Sequence, residues 1–286
     1  MANVDQFESI FRSSVKERLE YRPMDISSIL VITDLGPDEA EGFLERVRGF
    51  LAVLGSPDSL NFFLITGADY RSAEDLLDLV NDYELDLICS YRNLHTRAWR
   101  FPHSLGVHLD VLIQKTEIPV LILPHPRAGY MAEHAMQNTR EVMVVSDLVA
   151  INHDLINYAA CLTAPDGTLY LSHVESRFIF ERYMEAIGKI DVIDTELARK
   201  RLARQLLKEP EDYFLSCADI LRQHDVSLDV RSMVKFGHAL AEYRRQIEAR
   251  NLDLLVMHAR DERQQAMNTF AYPLAVEFRQ IPLLMI

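Results

Sequence analysis

LDLLVMHARDERQQAMNTFAYPLAVEFRQIPLLMI, residues 252–286, is the stretch whose reading decides the fold. An apolar run, a polar loop, a helix-like stretch, and then Ile-Pro with a second apolar run follow one another. This is a strand–loop–helix–strand order, and such a unit keeps its ligand at the tip of the first strand. Glycine at that tip permits positive φ and lets successive backbone N–H groups wrap a phosphate. Between Met257 and Pro273 the loop holds no glycine.

The same unit is written twice. SSILVITDLG (27–36) matches REVMVVSDLV (140–149), both apolar runs that end in an Asp, at Asp34 and Asp147. YELDLICSYR (83–92) matches RNLDLLVMHA (250–259), and EIPVLILPH (117–125) matches QIPLLMI (280–286). Each apolar run is short and continuous, the pattern of strands buried on both faces in a parallel sheet. Amphipathic stretches lie between them: 37–55 places Phe43, Val47, Phe50 and Leu54 on one face, and 72–83 opens with a Ser-x-x-Asp cap. This β-α-β-α alternation predicts two doubly wound α/β domains.

The two copies differ in their middles. Asp34 to Asp86 is 52 residues, whereas Asp147 to Asp253 is 106. Both copies have a second strand, NFFLIT (61–66) and TLYLSHV (168–174). The second copy alone has room for a long helical segment over 175–224 and an extra strand, SLDVRSMV (227–234). The predicted organisation is an N-terminal helix over 1–24, a first domain over 25–126 lacking one helix and one edge strand, a linker over 127–139, and a second domain over 140–286. The N-terminal stripe is Val4, Phe7, Phe11, Val15 and Leu19.

Composition narrows the function. With 49% hydrophobic and 26% charged residues the chain reads as globular, and its 286 residues bury a sizeable core without staples. A net charge of −13 disfavours nucleic acid and docking on anionic lipid, although a local basic patch can hide within an acidic total. No apolar run reaches the ~18 residues of a membrane span, so no membrane insertion is expected. Cys89, Cys161 and Cys217 lie far apart with no CxxC, which predicts no structural zinc and a reducing, cytoplasmic setting. HExxH, GxSxG and Walker loops are missing, and no nucleophile–base pair follows from spacing. The expectation is a protein that is not an enzyme.

In their order, these motifs resemble the universal stress protein family in its tandem two-domain form. The matching features are Asp after the first strand (ILVITD, VMVVSD), His173-Val174 in the second, Gly237 after the third, then DLLVM and the final Ile-Pro strand. The resemblance covers nearly all of residues 25–286. It implies last strands, VLIL (120–123) and LLMI (283–286), that pair across a two-fold axis, here inside one molecule as a pseudo-dimer. Pairing of this kind also covers a strand edge that would otherwise invite aggregation.

Members of the family divide into ATP binders, which carry Gly-x-x-Gly, nine residues, then Gly-Ser/Thr, and non-binders. This sequence departs from the binder pattern in both halves. His258 and Asp261 take the loop positions of the second half, and Thr269-Phe270 or Ala271-Tyr272 stand where Gly-Ser/Thr falls. In the first half the positions hold Tyr91 and Leu94, and Gly106-Val107 keeps one glycine without the hydroxyl. An Asp facing a triphosphate adds a repulsion of about 1 kcal/mol at ~4 Å in water.

The resemblance therefore implies a stress-response regulatory or binding protein without the usual ATP mode. No cofactor is expected, with an altered ATP or AMP site kept as an alternative. Regulation of a transporter or of another protein is a second alternative. The candidate site residues, at strand tips, are Asp34 and Gly106 in the first half and Asp147, Val174, His258 and Arg260 in the second. The segment 176–225 carries apolar stripes and a basic cluster of Arg199, Arg201 and Arg204, and is the candidate surface for a protein partner. A homodimer also stays open.

Overall fold

The computed structural model describes residues 18–146, 153–261, 264–267 and 271–286, with the backbone path alone for 260–261 and 264–267. Of the N-terminal helix expected over 1–24, residues 1–17 lie outside the described residues, and 18–24 run without helical structure. Leu19 of the apolar stripe is buried there. This segment straps onto the second half: Asn157 Nδ2 donates to the Glu20 carbonyl at 3.1 Å, and Glu20 N–H donates to His153 Nδ1 at 3.2 Å.

Nine strands form one sheet. The first half supplies β1 (Ser28–Ile32), β2 (Asn61–Ile65), β3 (Leu87–Tyr91) and β4 (Val120–Leu123). The second half supplies β5 (Glu141–Ser146), β6 (Thr168–Ser176), β7 (Asp229–Gly237), β8 (Leu254–Met257) and β11 (Leu283–Met285). The order is β2-β1-β3-β4-β11-β8-β5-β6-β7. Within this sheet every pair inside a half is parallel, and its single antiparallel pair is β4 with β11. Leu283 faces Ile122, Leu284 faces Leu121 and Met285 faces Val120. The two doubly wound halves thus mirror one another about this seam as a pseudo-dimer. The half without a counterpart of β7 has four strands.

The sequence accounts for these elements. Ile29, Leu30, Val31 and Ile32 have no exposed surface, so β1 is covered on both faces by helices, as a continuous apolar run requires. Helix α1 (Pro37–Phe50) starts on a proline and buries Phe43, Val47 and Phe50. Ser72 and Asp75 form a full capping box at the start of α2 (Ala73–Asn81). Helices α3 (Val107–Lys115) and α4 (His153–Leu162) cover the central strands. The long helical segment resolves into α5 (Arg177–Ile187) and α6 (Thr195–Gln223), followed by α7 (Ala239–Arg250) and α8 (Ala271–Glu277). Edge strand β7 leaves Asp229, Arg231 and Ser232 in solvent, a polar guard against further pairing.

The repeated Leu-Asp-Leu has a structural cause. Asp86 Oδ2 accepts the Ser27 and Ser28 N–H groups, each at 2.9 Å. Asp253 Oδ2 accepts the Arg140 and Glu141 N–H groups, each at 2.9 Å. In both halves the same carboxylate satisfies the donors at the start of the first strand, where the ladder leaves them unpaired.

One side chain locks the halves together. Arg92, 1% exposed, follows β3 and reaches the C-terminal end of α8. Its Nη1 donates to the Val276 carbonyl and its Nη2 to the Ala275 carbonyl, each at 2.9 Å, with Phe278 at 3.3 Å. Burial pulls its pKa down to about 10, so it stays charged at neutral pH. The negative end of the helix dipole stands in for a carboxylate partner. Replacing Arg92 by Met leaves those carbonyls without their donors and lowers unfolding free energy by about 2–4 kcal/mol. Lys at this position does not restore the loss, because one ammonium cannot reproduce the planar fork. Denaturant titration of both variants checks this.

Candidate functional site

In the first half the tips of β1 and β3 meet the N-terminus of α3. Asp34 stands two residues beyond β1, half-buried, and the chain itself uses up its carboxylate. The Tyr91 hydroxyl donates to Oδ1, and the His95 N–H donates to Oδ2 at 2.8 Å. The Tyr91 oxygen also accepts the Asp34 N–H at 3.1 Å and lies 2.6 Å from Thr33 Oγ1. Tyr70, buried, donates to the Thr33 carbonyl at 3.3 Å.

Rings fill the remaining space. Tyr70 lies edge-on to both His95 and His108, with centroids 4.8 and 5.5 Å away. His125, which follows β4, stacks on Trp99 at 4.3 Å and meets Tyr91 edge-on at 4.7 Å. Desolvation pushes the His125 imidazole down to about 4, and its Nδ1 accepts the Arg127 N–H at 3.1 Å, the bonding of a neutral ring. Burial lowers His108 as well. Burial and the Asp34 contact push the Tyr91 hydroxyl well above its usual range, so it remains a donor.

Gly106 is the residue before α3, with φ 93°. A Cβ there would lie 2.8 Å from the Asn93 Cα. The Asn93 N–H donates to the Leu105 carbonyl at 2.7 Å, which closes the loop 92–106 on itself. The glycine therefore serves the close approach of its own loop. Asp34 and Gly106 belong to one site, joined through this loop.

The second half is arranged differently. Asp147 lies outside the described residues, as do Thr269 and Phe270, and nothing is described of the Arg260 side chain. Val174 is buried inside β6, opposite Lys235, because β6 and β7 run on to Ser176 and Gly237. His173 is pinned by contacts to the Ser146 carbonyl at 3.0 Å and Glu175 Oε2 at 3.3 Å. His258 directly follows β8 and is half-buried. Where a phosphate loop would sit, Arg260–Asp261 (β9) and Gln264–Met267 (β10) pair as an antiparallel ribbon. Without glycine the segment takes an extended path and not a nest of N–H groups. Among the described residues no group of three or more His, Cys, Asp or Glu could hold a metal ion, and no helix is long and apolar enough to cross a membrane.

Sequence reasoning named Asp34, Tyr91 and Gly106 but missed Tyr70, His95, His108, Trp99 and His125 as one cluster. Their convergence depends on the path of a glycine-poor loop, which spacing does not reveal.

The sheet order and the two halves paired through their last strands define a fold like that of the universal stress proteins in tandem. Superposition agrees. A universal stress protein from Archaeoglobus fulgidus matches with a TM-score of 0.53 at 12% identity, over 92% of this chain and 98% of that one. A functionally unknown protein from Pseudomonas aeruginosa matches with a TM-score of 0.49 at 15% identity, over 91% and 92% of the two chains. At such identities the likeness is one of fold. No protein-family model and no curated protein matches the sequence.

The neutral, buried His125 makes the first half acid-labile. As pH falls from about 6.5, the unfolded chain binds a proton that folded His125 refuses until about 4, so stability is lost across that window. His125→Gln is less stable at neutral pH, but its thermal midpoint falls less steeply on acidification. Melting curves at stepped pH values read the difference.

Proposed function

We propose that this protein is a non-catalytic binding module of the universal stress type that does not hold ATP through a glycine loop. What supports the reading most is the state of Asp34. Both of its carboxylate oxygens are already bonded, to Tyr91 and to the His95 N–H. A nucleoside that needed this carboxylate would have to displace two internal hydrogen bonds and part a packed cluster of rings. Gly106, the one glycine that the first half keeps at a position of the binder pattern, is taken up by contact with Asn93. The protein's work is association with other molecules and not turnover.

Thermal-shift titration with ATP, ADP, AMP and cyclic nucleotides, together with native mass spectrometry of fresh protein, tests this. The expected result is a clean mass and an unchanged midpoint. Stabilisation approaching the ~2.7 kcal/mol of a ligand at a hundred times Kd overturns the reading. Loss of that stabilisation in Asp34→Ala would assign the ligand to the first half, and in Asp147→Ala to the second.

A further inference from the structure

Seven of the twelve large apolar residues that stand exposed in the described chain fall between 178 and 197, on α5, the start of α6 and the turn between them. Val192 is 93% exposed, Phe178 70% and Tyr183 61%, with Ile190, Ile193 and Leu197 alongside. A concentration of this kind marks an interaction surface, unlike single exposed apolar residues. From residue 191 to residue 204 the charges are sorted by position. Asp191, Asp194 and Glu196 flank the apolar turn, while Lys200, Arg201 and Arg204 follow it on the outer side of α6, all exposed. None of the six has an ion pair among the described residues, whereas neighbouring Arg199 and Lys208 are bound to Glu181 and Asp212.

Leu197, Arg201, Arg204 and Lys208 recur at i, i+4, i+7 and i+11, so they share one face of α6. Two such helices laid antiparallel, with a two-fold axis between residues 197 and 198, bring opposite signs together. In sequence, positions 191 and 204 are equidistant from that axis, and so are 194 and 201, with Asp191 in the turn before α6 and Asp194 at its N-cap. Asp191 and Asp194 of one copy then meet Arg204 and Arg201 of the other, twice over, around a shared apolar centre. An isologous contact demands this self-complementarity.

We propose that the α5–α6 hairpin is the docking surface for a second copy of this chain, paired across a two-fold axis at Leu197. The surface is independent of the β4–β11 seam, which is used up within the chain. An anionic lipid surface fits less well, because the three acids beside Val192 would meet like charge there. A monopolar protein partner would leave either the acids or the bases unmatched. The inference rests on the reading that the protein works by association. Nucleotide titration tests the strand tips and sedimentation tests the hairpin, so either can fail alone.

Sedimentation equilibrium of the full chain over low to high micromolar concentrations tests it, with circular dichroism to confirm the fold of each variant. The wild type is expected to dimerise. Arg204→Glu raises the dissociation constant about tenfold or more, because two attractions become two repulsions. Adding Asp191→Lys to that variant restores the dimer, since the pair is swapped and not lost. Val192→Asp weakens it by removing apolar burial. A wild type that stays monomeric overturns the proposal, as does a dimer indifferent to Arg204→Glu or a double variant as weak as the single. So does a monomer that binds phosphatidylserine vesicles through the same arginine.

Discussion

Antiparallel pairing of Val120–Leu123 with Leu283–Met285 is the constraint on which the rest of this structure depends. Each half is an open parallel sheet whose last strand needs a partner, because unpaired N–H and C=O groups in an apolar interior are costly. The halves satisfy each other and become one nine-stranded sheet. That arrangement brings the loop after β3 against α8, so Arg92 can close the last carbonyls of a helix from the other half. A buried guanidinium would be a liability alone. Placed at a helix C-terminus it becomes a clamp.

The same geometry decides what the first-half strand tip can do. Open α/β sheets place ligands beyond the C-terminal ends of their strands. Here the position is occupied by the protein. Tyr91 ends β3 where the binders of the fold family carry glycine, and its hydroxyl reaches both the side chain and the backbone of Asp34. Once a ring stands there, further rings pack on it, from Tyr70 to His125 and Trp99. Their burial keeps His125 neutral and Tyr91 a donor. Side chains of the protein itself thus fill the cleft at this strand tip.

The outer hairpin shows how little a net charge of −13 says about a local surface. From the turn after α5 into the first turns of α6, acids and bases are segregated beside exposed apolar residues, and the segregation itself carries the information. Elsewhere along the described chain, ion pairs such as Lys235–Glu242 and Arg244–Glu277 neutralise charge locally.

By itself the sequence determined the fold class, the internal repeat, the missing strand of the first half and the pairing of the final strands. These depend on period and order, which local physics writes directly into the chain. Short continuous apolar runs such as Ile29–Ile32, repeated between amphipathic stretches, fit doubly covered strands, and the Ser72–Asp75 cap is readable in four letters. Of the candidate residues, the fold brings Asp34 and Gly106 to one strand tip. Val174 proved to lie inside a strand, because the extension of β6 is decided by pairing with β7, a distant segment. The imidazole–phenol cluster, the Arg92 clamp and the shared role of Asp86 and Asp253 belong to tertiary structure alone. Each joins residues dozens to nearly two hundred positions apart, and no local pattern encodes which side chain will reach which carbonyl or N–H group.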